Sequence, residues 1–138
     1  MTDIMAGIRG ATWAPPFVYV DRIMRMDRRS AVALTVFGEG RERFSYGPFV
    51  SPSLLIECMA QLSLALIRHS DPEVEIGVIP SLRNIEMRPL PRAPFQVVIR
   101  VFWDEGEFPR YGFAGEAFVT DAPVCQVRLD ILATRREP

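Results

Sequence analysis

Residues 51–69 read SPSLLIECMAQLSLALIRH, and the character of this stretch decides the fold. Ser51 is suited to cap free backbone N–H groups and Pro52 to the first helical position, so a helix is predicted to start there. Continued to His69, it spans about 27 Å at ~1.5 Å per residue. Leu54, Leu55, Ile56, Met59, Leu62, Leu64, Leu66 and Ile67 point in every direction around its axis, the pattern of a buried helix. Only Ser53, Glu57 and Gln61, at spacing four, form a narrow polar stripe. A carboxylate in such surroundings is costly to bury without a partner, which makes Glu57 the leading candidate for a functional group.

Upstream of the helix, residues 1–15 have weak periodicity and specify no element, and Ala14-Pro15-Pro16 excludes a helix interior or a central strand. Residues 17–23 are apolar and β-prone, and 31–37 read as a second strand ending at Gly38-Glu39-Gly40. Residues 41–50, with Gly47 and Pro48, read as a loop. Asp71-Pro72 stops the helix. Downstream, 76–87 is extended but broken by Pro80, and Pro89, Pro91 and Pro94 form a stiff connector. Residues 95–104 read as a long strand, Glu105-Gly106-Glu107 as a hairpin turn, 110–120 as a strand and Asp121-Ala122-Pro123 as the next turn. Residues 124–134 alternate cleanly, with Cys125, Val127, Leu129 and Ile131 on one face and Gln126, Arg128 and Asp130 on the other.

The chain has 138 residues, 49% of them hydrophobic, which predicts one globular α+β domain over 1–138. Sixteen Lys+Arg against seventeen Asp+Glu leave a net charge of −1, so charge gives no case for nucleic acid. Cys58 and Cys125 lie in apolar stretches and are expected to be buried free thiols of a reducing compartment. No signal-peptide pattern is present, and the helix is too short and too charged for a membrane span, so the expected location is cytoplasmic. No metal and no cofactor are expected. One sheet cannot cover so apolar a helix, so a second subunit is expected as well.

Several stretches resemble the (3R)-3-hydroxyacyl-acyl-carrier-protein dehydratases of the hotdog fold. Residues 16–23, PFVYVDRI, resemble the family's PF-x-x-VDR signature. Leu55-Ile56-Glu57-Cys58-Met59-Ala60-Gln61 resembles its helix motif L-I-x-E-A-M-A-Q, with the glutamate in register with MAQ. Residues 77–91 resemble the segment before its long strand, and Val124-Cys125-Gln126 resembles the V-C-E of its last strand.

The resemblance implies a long central helix wrapped by a curled antiparallel sheet, a dimer, and an acyl thioester held beside the helix. It also implies a hydro-lyase working in fatty-acid or related lipid metabolism, with 3-hydroxyacyl groups on acyl carrier protein or coenzyme A. In the family a loop histidine and the helix glutamate act together from opposite subunits, and Glu57 matches that glutamate. The histidine has no match. The family's G-H-F-P loop falls on residues 44–51, FSYGPFVS, whose nearest equivalent is Gly47-Pro48-Phe49. Gly47, Phe49, Ser51, Ser53 and Gln61 are therefore expected to contact substrate, and Tyr46 to substitute as acid or base.

His69, the only histidine, lies twelve residues beyond Glu57, ~18 Å along the helix, and is expected to complement the helix dipole. Three readings follow. The chain is a hydro-lyase using Glu57 with a substitute group or with a histidine from a hetero-oligomeric paralogue. Alternatively it is a thioesterase whose helix carboxylate activates water, with helix N-terminal N–H groups on the carbonyl. The third reading is a non-catalytic acyl-binding or scaffolding subunit. The bland alternative for Glu57 is a structural ion pair, for example with Arg43.

Overall fold

The structure is a computed structural model that describes residues 20–38 and 50–135. Chain order is β1 (Arg22–Met26), β2 (Ser30–Phe37), α1 (Ser53–Ser70), β3 (Val74–Met87), β4 (Phe95–Glu107), β5 (Arg110–Val119) and β6 (Ala122–Arg135). The six strands form one antiparallel sheet in the order β1-β2-β4-β5-β6-β3. The sheet curls around α1, which touches five of its strands, β2 to β6.

The helix is 18 residues long, as its sequence requires. Its start differs in detail from expectation. The Ser51 side chain does not cap it; instead the Ser51 and Pro52 carbonyls accept from the Leu54 and Leu55 N–H groups at 3.1 and 3.0 Å. Ser51 Oγ lies 2.8 Å from Ser53 Oγ. At the other end, Asp71 receives the Arg135 guanidinium at 2.8 and 3.1 Å, and that guanidinium stacks 3.8 Å from the Phe108 ring. This clamp ties the helix end to β6 and to the β4–β5 turn.

A single chain buries more of α1 than the sequence argument allowed. Every residue of 58–67 is buried, because the curled sheet reaches around the helix from five strands. Leu54, Ile56 and Glu57 remain half-buried. Close approach is helped by Gly115, where an added Cβ would lie 2.6 Å from Met59 Sδ. Thr35 is fully buried and donates its hydroxyl to Cys58 Sγ at 3.8 Å.

The alternation read in 124–134 is confirmed: Cys125, Val127, Leu129 and Ile131 face the core. Both turns fall elsewhere than expected. Residues 105–107 belong to β4, and the turn is Phe108-Pro109; Gly106, at φ 83°, is paired with Tyr111 inside the ladder. The following turn is Thr120-Asp121, both at positive φ (48° and 63°), with Ala122 and Pro123 already in β6. Such a two-residue turn matches the strand twist, whereas the glycine and proline that suggested turns sit at an irregular ladder position and at the start of a strand.

Pro80 does not break β3. The strand passes it by a register shift between Val78 and Ser81, with another between Arg83 and Glu86, where Asn84 has φ 55°. Of the stretch 17–23, the described part enters the sheet at Arg22. Asp21 fastens that entry, its carboxylate accepting from the Val36 N–H at 2.6 Å and its own N–H donating to the Leu34 carbonyl at 3.0 Å.

Candidate functional site

The polar stripe of α1 descends from the surface into the core. Ser53 is exposed, Glu57 one turn on is half-buried, and Gln61 is fully buried. Glu57 opens onto a cleft of about 320 Å³ between α1 and the β3 edge. Its other lining residues are Ala60 and Leu64 from the helix, Gly77, Val78 and Ile79 from β3, and Ile131 from β6. The chemistry is therefore one carboxylate on an apolar wall, the pairing expected of a pocket that fixes an apolar ligand with few polar groups.

Gly77 shapes this wall. A Cβ there would stand 3.1 Å from Ile131 Cγ2 and 3.2 Å from Leu64 Cδ1, so the glycine keeps the cleft floor free of side chain. An isolated glycine in an extended apolar stretch is the sequence signal of close approach. Nothing in the sequence, however, told which helix residues it would meet.

The expected site residues are only partly brought together. Ser53 and Gln61 do not line the cleft. The Leu54 and Leu55 N–H groups, candidates to polarise a carbonyl, already donate to local carbonyls. Tyr46, Gly47, Phe49 and Arg43 lie outside the described residues. His69 is exposed in the last helical turn, beside Arg68, consistent with a dipole-complementing role. Cys58 is fully buried, accepts from the Thr35 hydroxyl and lies outside the cleft lining. Among the described residues no group of three or more His, Cys, Asp or Glu side chains is placed to hold a metal ion. No described helix is long and apolar enough to cross a membrane.

A feature the sequence reading missed lies on the opposite, outer face of the sheet. Arg128 of β6 reaches across β5 to Asp104 of β4, and Arg83 of β3 pairs with Asp130 at 3.2 Å. Asp104 is the extra residue of a bulge, which aims it outward. The Arg128 hydrogen bond holds the Asp104 carboxyl below its ordinary 3.8, against an opposing effect of burial. The Ser81 hydroxyl, donating to Asp130, does the same for that carboxyl.

A long helix cradled by a curled antiparallel sheet is the hotdog fold, and solved structures with it superpose on most of the chain. One is the dehydratase heterocomplex ApeI:P from Xenorhabdus doucetiae, with TM-score 0.82 and 14% identity over 94% of this chain and 91% of that one. A hypothetical thioesterase with coenzyme A from Streptococcus pneumoniae gives 0.67 and 13% over 85% and 88%. A homologue of HP0420 from Helicobacter felis gives 0.73 and 11% over 100% and 96%. At these identities the likeness establishes the fold. No protein-family profile and no curated protein sequence matches the chain.

Proposed function

We propose that the chain is a dehydratase-like hotdog protein that takes acyl thioesters of the 3-hydroxyacyl type, on acyl carrier protein or coenzyme A, into the cleft beside Glu57. The observation that carries this reading is the half-buried carboxylate at an apolar cleft of about 320 Å³, large enough for a ligand chain. A dehydratase and a coenzyme A-bound thioesterase among the structures of the same fold lend support.

Dehydration needs one group to take the α-proton and another to protonate the departing hydroxyl, so that water leaves and the double bond forms. Glu57 supplies one of the two. The second comes from another subunit, and the lone histidine at the far end of α1 favours a hetero-oligomer with a histidine-bearing paralogue. The edge strand β3, which forms one wall of the cleft and exposes Val78, Leu82, Ile85 and Met87, is where that subunit joins.

The test is binding of a crotonyl thioester by the purified chain, with hydration and thiol release followed in the same sample. Binding is expected in the parent and in Glu57→Gln, with any hydration confined to the parent. Thiol release dependent on Glu57 identifies the thioesterase reading, and tight binding without turnover in any assembly identifies a scaffolding subunit. Absence of binding overturns the proposal.

A further inference from the structure

The part of the outer face formed by β2, β4 and β5, away from the Arg128–Asp104 and Arg83–Asp130 pairs, exposes large apolar side chains. Phe102 is 49% exposed, Val36 39% and Val98 37%. The strand register arranges these residues in rows. Leu34 of β2, Val98 of β4 and Phe118 of β5 lie side by side in one. In the next, Arg100 of β4 stands opposite Glu116 of β5, their side chains 3.2 and 3.3 Å apart and the guanidinium 5.4 Å from the Phe118 ring. Phe102 lies opposite Ala114 in the row after that.

We infer that this face pairs back to back with a second copy of the chain, about a two-fold axis running along the strands between β4 and β5. Such an axis exchanges the two strands and leaves the rows in place. Arg100 then faces the partner's Glu116, Val98 faces the partner's Phe118, and the large Phe102 faces the small side chain of the partner's Ala114. Charge meets opposite charge, apolar meets apolar, and a large side chain meets a small one, which is the self-complementarity an isologous interface requires. Aligned sheets pack about 30° apart, so the match is best on the axis, where the ion pairs lie. Because α1 and its cleft are on the other face, the contact leaves the Glu57 cleft open. It is independent of the function proposed above and of the β3 edge.

The decisive experiment reads the mass of the full chain in solution by light scattering, at tens of micromolar protein. Arg100→Glu places like charges together across the axis, and Glu116→Arg does the same with the opposite sign. Each variant alone is expected to lose about two-fold in assembly mass. An equimolar mixture of the two is expected to regain the parental mass, because Glu faces Arg at both ends of the mixed interface. Within each variant the intrachain pair stays broken, so recovery on mixing reports only the contact between copies. Phe102→Glu, an exposed position whose replacement spares the core, is expected to give the same two-fold loss. The inference is overturned if the parent has the mass of the Phe102→Glu variant, or if the two charge variants do not recover mass when mixed.

Discussion

The Arg128 guanidinium meets the Asp104 carboxylate at 2.6 and 2.8 Å, a two-pronged ion pair that bridges β6 to β4 across β5. Both side chains are about a quarter exposed, at 25% and 29%, so solvent screens part of the attraction. Asp104→Asn is expected to cost about 1 kcal/mol at neutral pH. Asp104 has a lowered folded-state pKa, so its contribution is complete above its ordinary 3.8 and lost as pH falls through the folded value. The difference between parent and variant in denaturant unfolding should therefore shrink below about pH 4. An undiminished difference at about pH 2.5 would remove the ion pair as its cause.

Gly77 keeps the cleft floor open, with Ile131 and Leu64 within 3.1 and 3.2 Å of where a Cβ would stand. Gly77→Ala should fold with a cost of about 1 kcal/mol, since two side-chain methyls must yield by tenths of an ångström. Gly77→Val puts branched carbon into the cavity and should weaken acyl-thioester binding by about tenfold or more relative to Gly77→Ala. Calorimetric titration of both variants checks this, and equal affinities would place the acyl chain elsewhere.

Met59 packs closely over Gly115, its Sδ 2.6 Å from where a Cβ would stand. Gly115→Ala should destabilise by about 1–3 kcal/mol, because Met59 is fully buried and has nowhere free to go. Truncating the methionine removes the clash, so the double variant Gly115→Ala/Met59→Ala should be more stable than the sum of the single effects by at least ~1 kcal/mol. Additive effects in a double-mutant cycle would show that the two positions do not press on each other.

Burial pushes the Cys125 thiol up to about 11, and Cys58 is fully enclosed. Neither should react with a disulfide reagent in the folded protein at neutral pH, since the thiolate is the nucleophile. Both should react once the chain is unfolded in denaturant. Rapid labelling of the native chain would contradict the packing described here.

The helix was legible in the sequence almost to the residue because an apolar stretch that points every way has one solution. Strand β6 was legible because its two faces differ in polarity. Strand β3 was less so: Pro80 and Asn84 sit at register shifts, and a bulge erases the alternation by which a strand is recognised. Gly106 and Pro123 pointed to turns that lie two or three residues away, since a glycine in a bulge and a proline at a strand start carry the same local signal as a turn. Of the cleft, Glu57 could be read from its awkward place on α1. Its walls could not, because Gly77, Ile79 and Ile131 join it only through folding. Asp104 was missed as the partner of Arg128 for the same reason.

The lone histidine in the last turn of α1 has one more consequence. Across the neutral range the side chains around Glu57 carry no imidazole of this chain, and His69 sits ~18 Å off. The cleft is thus silent to titration by imidazole between about pH 5 and 8. An imidazole resonance that titrates in that range in an assembly built on the His69→Gln chain, which holds no other histidine, is the fingerprint of a second kind of subunit.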